Sequence, residues 1–151
     1  MTDPKRLKEF EEYFLKVIDN KRNNFHPLVW IHGDPIIGKG VYVGGFSEIN
    51  ANGAKVAIGD CCDIASFVAI NCQDTHKRCI GLTDKRCCKD IVIENNVFIG
   101  SHCVVKGGAR IGHHSVIAAG TIVEDAEIPP YSLVFGNPMQ VKKGYYFKHK
   151  G

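Results

Sequence analysis

The apolar residues of this chain recur at every sixth position, a spacing that belongs neither to a helix nor to a flat strand. In the stretch IVIENNVFIGSHCVVKGGARIGHHSVIAAGTIVEDAEIP the count is kept by Ile93, Ile99, Val105, Ile111, Ile117 and Val123. The residue two before each is also apolar or small: Ile91, Val97, Cys103, Ala109, Ser115 and Thr121. A tiny residue often follows, as at Gly100, Gly112 and Ala118. Upstream, Ile37, Val43 and Ile49 hold the same step, and Ile58, Ile64 and Ile70 resume it after three extra residues. Helices repeat near 3.6 residues and strands near 2, so neither accounts for six. A ribbon of short strands coiled into a triangular prism does. Three sides of six residues make a turn of roughly 18, with one aliphatic side chain per side pointing inward. Stacked turns pair their strands in parallel and share one core. A β-sandwich would instead show turn signals every roughly 8–12 residues and runs of period 2. The pattern predicts an all-β fold, a parallel β-helix over residues 36–143.

Two departures from six add to this. Leu7, Phe10, Phe14, Val17 and Ile18 fall on one helical face, behind Asp3 as a cap and Pro4 at the first helical position. A short helix is predicted within residues 1–25, its apolar stripe packed on the rest of the protein and its end in DNKRNNFHP. The second departure is the 23-position gap from Ile70 to Ile93. A solenoid gains nothing by interrupting its own ladder, so a protruding loop at about 77–89 is expected to carry function. Residues 144–151 remain as a basic C-terminal tail.

Composition narrows the class. With 151 residues, 44% of them hydrophobic, one domain with a real core is expected. No apolar run approaches about 18 residues, so no membrane insertion is expected. MTDPKRLKEFEEYF has acids through it and no small-residue cleavage site, unlike a signal peptide. Seven cysteines, an odd number without an export signal, point to reduced thiols in the cytoplasm. Cys61–Cys62 and Cys87–Cys88 lack the C-x2-C spacing of zinc ligands, and a loop site from His76, Cys79, Cys87 and Cys88 is the one alternative; no metal is expected. A net charge of +3 is too mild to indicate a nucleic-acid partner. The charge is uneven, however. Lys77, Arg78, Lys85, Arg86 and Lys89 surround one acid, Asp84, and Lys142, Lys143, Lys148 and Lys150 follow Glu127 with no acid at all. These segments read either as solvated surface or as contacts for phosphate-bearing small molecules.

The hexads, the loop, NNVFIGSHCVVKGGARIGHHSVIAAGTIVEDAEIPP and VFGNPMQVKKG together resemble the hexapeptide-repeat acyltransferases. The nearest branch looks like the galactoside, maltose and antibiotic acetyltransferases and their nucleotide-amino-sugar relatives, over roughly residues 36–143. The resemblance implies a left-handed β-helix, a homotrimer with active sites between subunits, and acetyl-CoA as co-substrate. On the same basis His76, in DTH at the root of the loop, takes the place of the catalytic base. Ser101, in FIGSH, takes that of a serine near the thioester carbonyl. Phe98 stands where many members have a tryptophan beside the cleft, and Gly120 where backbone lines the pantetheine arm. Lys142 and Lys143, after GNP, stand where CoA phosphates are met. Asn71 and Asp74 before His76, with Lys77 and Arg78 after it, are the candidates for acceptor binding. Gly45 stands where galactoside-type members carry an acceptor asparagine, so the likeness stops short of that contact.

Acetyl transfer from a thioester needs a base for the attacking group and a donor for the developing oxyanion. An imidazole, largely neutral near pH ~7, serves as the base. Its second nitrogen needs an acceptor to fix the tautomer, either Asp74 or a backbone carbonyl. The Ser101 hydroxyl or a nearby amide suits the oxyanion, a contact typically worth ~3–4 kcal/mol. The expected function is acetyl-CoA-dependent acetyl transfer to a sugar, foremost to the amino group of a nucleotide-linked amino sugar because of the basic loop. A hydroxyl of a cell-surface or antibiotic sugar is the alternative acceptor. Two other classes share such a fold. The trimeric zinc carbonic anhydrases need an H-x4-H pair, and here that spacing leads from His113 to Ala118 and from His114 to Ala119. A non-catalytic scaffold would gain no stability from acetyl-CoA. His102, His113 and His114 are expected to face solvent.

Overall fold

The computed structural model describes residues 3–17 and 23–147. Ile18, the start of DNKRNNFHP, and Lys148 and Lys150 of the basic tail lie outside the described residues. The helix α1 spans Pro4–Val17. Asp3 caps it: its carboxylate accepts the Lys5 amide at 3.0 Å and its carbonyl accepts the Leu7 amide at 3.0 Å. The apolar stripe does not pack on the rest of the chain as expected, for no residue of α1 is buried. Phe10 and Phe14 stack on each other instead, with centroids 5.5 Å apart. Phe25, from the segment that follows, packs against the core in its place.

Five coils of short strands follow. The first holds β1 (Trp30–His32), β2 (Ile36–Ile37) and β3 (Tyr42–Val43); the second β4 (Glu48–Asn50), β5 (Val56–Ile58) and β6 (Asp63–Ile64). The third opens with β7 (Ala69–Asn71) and then leaves the prism. This excursion comprises β8 (Gln73–Asp74), the single turn α2 (His76–Cys79) and β9 (Cys87–Cys88), before β10 (Ile91–Ile93) and β11 (Phe98–Ile99) complete the coil. The fourth has β12 (Val104–Lys106), β13 (Arg110–Ile111) and β14 (Val116–Ile117); the fifth β15 (Ile122–Val123), β16 (Glu127–Ile128) and β17 (Leu133–Phe135). A last strand, β18 (Gln140–Lys142), returns antiparallel to β17. All other strand pairs between coils are parallel, and they form three faces, which makes the fold a parallel β-solenoid.

The six-residue count becomes three buried columns. On the first face Ile31, Ile49, Ile70, Val105 and Val123 lie in register from coil to coil. The second face stacks Ile37, Ile58, Ile93, Ile111 and Ile128, and the third Val43, Ile64, Ile99, Ile117 and Val134. All but the partly buried Ile37 belong to the core. Strands of two or three residues are far below the usual length and hold only because each coil covers the apolar surface of the next. The small polar residues two places before the column are buried too. Ser47, Ser115, Thr121 and Ser132 donate to the carbonyls of Ala65, Pro129, Ala118 and Pro129, so no hydroxyl among them is left unsatisfied.

The corners carry their own ladder. Phe46, Cys61, Phe67, Asn96, His102, His114 and Tyr131 all adopt left-handed backbone with φ between 55° and 62°. Such conformations cost roughly 1–3 kcal/mol each outside glycine and persist only where the surroundings enforce them. Here the enforcement is hydrogen bonding between coils. The amides of Phe46, Cys61, Phe67, Asn96, His102, His114 and Tyr131 donate to the carbonyls of Leu28, Lys39, Gly45, Asp60, Ser66, Asn95 and His113 at 2.8–3.4 Å. Among the described residues no helix is long and apolar enough to cross a membrane.

Truncating a column residue opens a cavity that the short strands cannot collapse around. Ile99→Ala should therefore lower the unfolding free energy by about 2–5 kcal/mol. Ile80→Ala, on the excursion and 66% exposed, should change it by about 0.5 kcal/mol or less. Denaturant titration of the two variants measures the contrast.

Candidate active site

The excursion leaves the prism where the first face turns into the second. Its stem is the antiparallel pair β8–β9, with Gln73 opposite Cys88 and Asp74 opposite Cys87. Below the stem the Asn52 carbonyl receives Cys72 Sγ at 3.4 Å and the Gln73 side-chain amide. The stem therefore holds the start of α2 at a fixed height over the first face. His76 opens that turn.

Asp74 folds back on His76 twice. Its Oδ1 accepts the His76 amide at 3.0 Å and lies 2.5 Å from Nδ1 of the imidazole. The two bonds cooperate: the backbone contact fixes the carboxylate, and the carboxylate fixes the ring. The His76 amide and then the ring hold the Asp74 carboxyl below its ordinary value of 3.8. An ionised Asp74 can only accept, so in the neutral ring the proton belongs on Nδ1 and the lone pair on Nε2. That is the tautomer a general base requires.

This pair opens on a cavity of about 570 Å³ over the first face. Val104 and Ile122 contribute apolar surface to it, while Asn71, Lys77, Cys87 and two ion pairs contribute polar groups. Lys106 meets Glu124 at 2.7 Å, and Lys89 meets Asp125. In each pair the hydrogen bond to the carboxylate raises the lysine pKa. Lys77 has no carboxylate partner among the described residues, which leaves its charge available to a ligand. The arrangement can deprotonate a nucleophile and offer hydrogen bonds of both kinds to a polyhydroxylated molecule.

Asn71, Asp74, His76 and Lys77 thus share one cavity, while Arg78, Lys85 and Arg86 are exposed on the excursion outside it. Ser101 lies elsewhere, at the corner where the third face turns into the first; its carbonyl accepts the Gly120 amide at 2.9 Å. That corner and the excursion are separated by one side of the prism, ~15–20 Å for six residues of strand. Phe98 faces outward from β11 between Asp63 and Val116 and is 41% exposed. Lys142 lies over the rings of Phe135 and Tyr145, 5.4 Å and 5.7 Å from their centroids, and Lys143 is exposed beside it. His102 stacks on Phe67 at 5.0 Å, and His113 and His114 gather around Tyr131. Sequence reasoning passed over Lys106, Glu124 and Asp125. A signal existed for the first two: residues 18 apart occupy the same place in successive coils, and the pair Lys106–Glu124 has that spacing. Among the described residues no three His, Cys, Asp or Glu side chains converge as a metal site, so His76, Cys79, Cys87 and Cys88 are not gathered as ligands.

Comparison with known proteins adds to the geometry. Residues 90–134 match the model of the bacterial transferase hexapeptide (six repeats). Galactoside O-acetyltransferase of Escherichia coli (strain K12) is 48% identical over a segment that covers 38% of this chain and 32% of that protein. The chain thus spans a third or less of the length of the curated relatives it matches, 32% and 26% for two galactoside O-acetyltransferases. The solved structure of galactoside acetyltransferase in complex with coenzyme A superposes with a TM-score of 0.61 at 26% identity, covering 98% of this chain and 76% of that one. The polySia specific acetyltransferase NeuO gives a TM-score of 0.62 at 28% identity, over 76% of this chain and 60% of that one.

The Asp74–His76 bond has a pH signature. A depressed carboxylate pKa contributes stability that is full above 3.8 and lost as pH falls through the lower folded value. Carbon-13 NMR of the Asp74 carboxyl should give a midpoint below 3.8, and His76→Ala, which removes the ring but keeps the backbone amide, should move it only part of the way back. A midpoint at or above 3.8 in the unmodified protein would mean that the pair does not form in solution.

Proposed function

We propose that this chain, a hexapeptide-repeat protein related through residues 90–134 to the bacterial hexapeptide transferases, transfers an acetyl group from acetyl-CoA to a sugar. The observation that carries this reading is the Asp74–His76 pair at the mouth of a charged cavity, on the one excursion from the solenoid. The likeness to a coenzyme A-bound acetyltransferase over 98% of the chain supports it. His76 Nε2 takes the proton from the acceptor as its oxygen or nitrogen attacks the thioester carbonyl. The tetrahedral intermediate collapses, the carbon–sulfur bond breaks, and the imidazolium returns its proton to the departing thiolate. Asp74 holds the ring and balances its charge between these two moments.

The oxyanion donor comes from another copy of the chain. Ser101 and His76 stand at opposite ends of the first face, too far apart to touch one carbonyl, so a neighbour supplies the Ser101 corner. A homotrimer closes three such clefts by one rotation. Phe98 walls the cleft, and Lys142 and Lys143 meet the phosphates of CoA. The seven free cysteines suit the reducing cytoplasm.

Among acceptors, the amino group of a nucleotide-linked amino sugar is favoured by Lys77, which has no carboxylate partner among the described residues, with Arg78, Lys85 and Arg86 on the same excursion, all suited to phosphate groups. A sugar hydroxyl is the second reading. The held imidazole favours it, because a hydroxyl needs a base more than a neutral amine does. Asn71 and Asp74 would contact either acceptor.

Two outcomes test the reading. His76→Ala should lower kcat by roughly 10²–10⁴-fold for a hydroxyl acceptor and less for an amine, with CoA affinity in calorimetry unchanged. Full activity of this variant from about pH 6 to 9, spanning the usual histidine titration, would remove His76 from the chemistry. Sedimentation equilibrium should give three times the chain mass of 16.7 kDa, and a monomer at assay concentration would remove the shared cleft.

A further inference from the structure

One corner of the prism carries a column of flat rings that ends abruptly. Where the third face turns into the first, each of the first four coils places one residue in left-handed backbone. These are Phe46, Phe67 and His102 at φ 62°, 61° and 60°, then Gly120 at 73°. Amides tie successive steps together. Phe67 N donates to the Gly45 carbonyl at 3.2 Å, His102 N to that of Ser66 at 3.4 Å, and Gly120 N to that of Ser101 at 2.9 Å. Equal φ at equal steps aims the side chains alike, so the rings lie flat on one another. Phe46 and Phe67 are 5.1 Å apart and 6° from parallel; Phe67 and His102 are 5.0 Å apart and 8° from parallel. The spacing is that of neighbouring strands, ~4.7–4.9 Å, so each ring fills one step.

Above His102 the next step is empty. A Cβ on Gly120 would meet nothing within 4 Å. The backbone does not require glycine at this corner, because Phe46, Phe67 and His102 hold the same conformation with large side chains. What glycine provides at 120 is room. The imidazole of His102 keeps one face on Phe67 and the other open, and its ring nitrogens have no hydrogen-bond partner among the described residues.

We propose that His102 is a donor-binding residue. The open face of its imidazole stacks on the flat thioester or an amide of the acyl-pantetheine arm, which lies in the step left by Gly120. This rests on the acetyl-CoA reading given above and goes beyond it by adding a residue to the site. The empty step makes a slot one ring thick, ~4.7–4.9 Å. A planar amide or thioester fits that height, and a puckered sugar ring does not. The position also agrees with Ser101, the next residue back along the chain, as the contact for the thioester oxygen.

The test uses the 151-residue chain with His102→Ala, His102→Phe and Gly120→Asn, the last because asparagine tolerates left-handed backbone. Binding of CoA is measured by calorimetry, and initial rates are measured with acetyl-CoA and with S-acetyl-pantetheine, which lacks the nucleotide. His102→Ala should weaken CoA binding and raise KM for both donors by about two- to tenfold, the range of an aromatic stacking contact. The acceptor KM and the melting temperature should not move. His102→Phe should restore donor binding, and Gly120→Asn should weaken it by filling the slot. Unchanged donor binding in His102→Ala and Gly120→Asn overturns the proposal. So does an effect confined to the acceptor KM, which would make the column an acceptor platform, or a change in oligomeric mass, which would make it a subunit contact. If the unmodified protein itself binds no CoA, the transferase reading fails first and the slot with it.

Discussion

In-register stacking of branched aliphatic side chains, coil upon coil, is the constraint on which everything else in this molecule depends. Each coil offers strands of two or three residues, which have no stability of their own. The columns through Ile49, Ile58 and Ile64 exist only because the coils above and below present the same shape at the same place. A slip of one residue would turn an entire column to solvent. Variation in length is therefore confined to the corners. Three extra residues precede Ile58, the corner before Ile128 is one residue short, and the whole 72–90 excursion leaves and returns without disturbing the register of Val56 with Ile91.

That confinement decides where chemistry can reside. Side chains on the inward positions are committed to the core, so the functional groups come from outward positions and corners. The cavity is built that way: Asp74 and His76 from the stem of the excursion, Lys106 and Glu124 from outward places one coil apart. Because the prism has three sides, groups at two corners cannot converge within one chain. Ser101 and His76 illustrate this directly.

Much of the architecture was legible in the spacing. The twelve aliphatic positions predicted from it, save the partly buried Ile37, are core residues, and the break after Ile70 is the excursion. The count also reached further than it was followed: Ile31 lies six before Ile37, and Val134 six after Ile128. Less was legible at the corners, since no local signal says that Phe46, Phe67 and His102 will share a left-handed conformation enforced by the neighbouring coil. His102, expected merely to face solvent, is one of those. The helix α1 marks another limit. Its stripe of Leu7, Phe10 and Phe14 reads correctly as helical, but periodicity gives the face of a helix and not the surface that covers it. Asp74 beside His76 was legible as one of two options, because an acid two residues before a histidine can turn back on it.

The reversal at β18 bears on how such a protein stays finite. An open solenoid ends in bare strand edges, and a second molecule with the same six-residue period could add its own coils there, end to end, as a growing filament. On the third face that route is shut. Leu133 to Phe135 are paired with a strand running the opposite way, and the outer edge of that strand does not offer the parallel pattern that an incoming coil would need. A segment of three residues thus acts as a terminator for a structure that carries no other information about its own length.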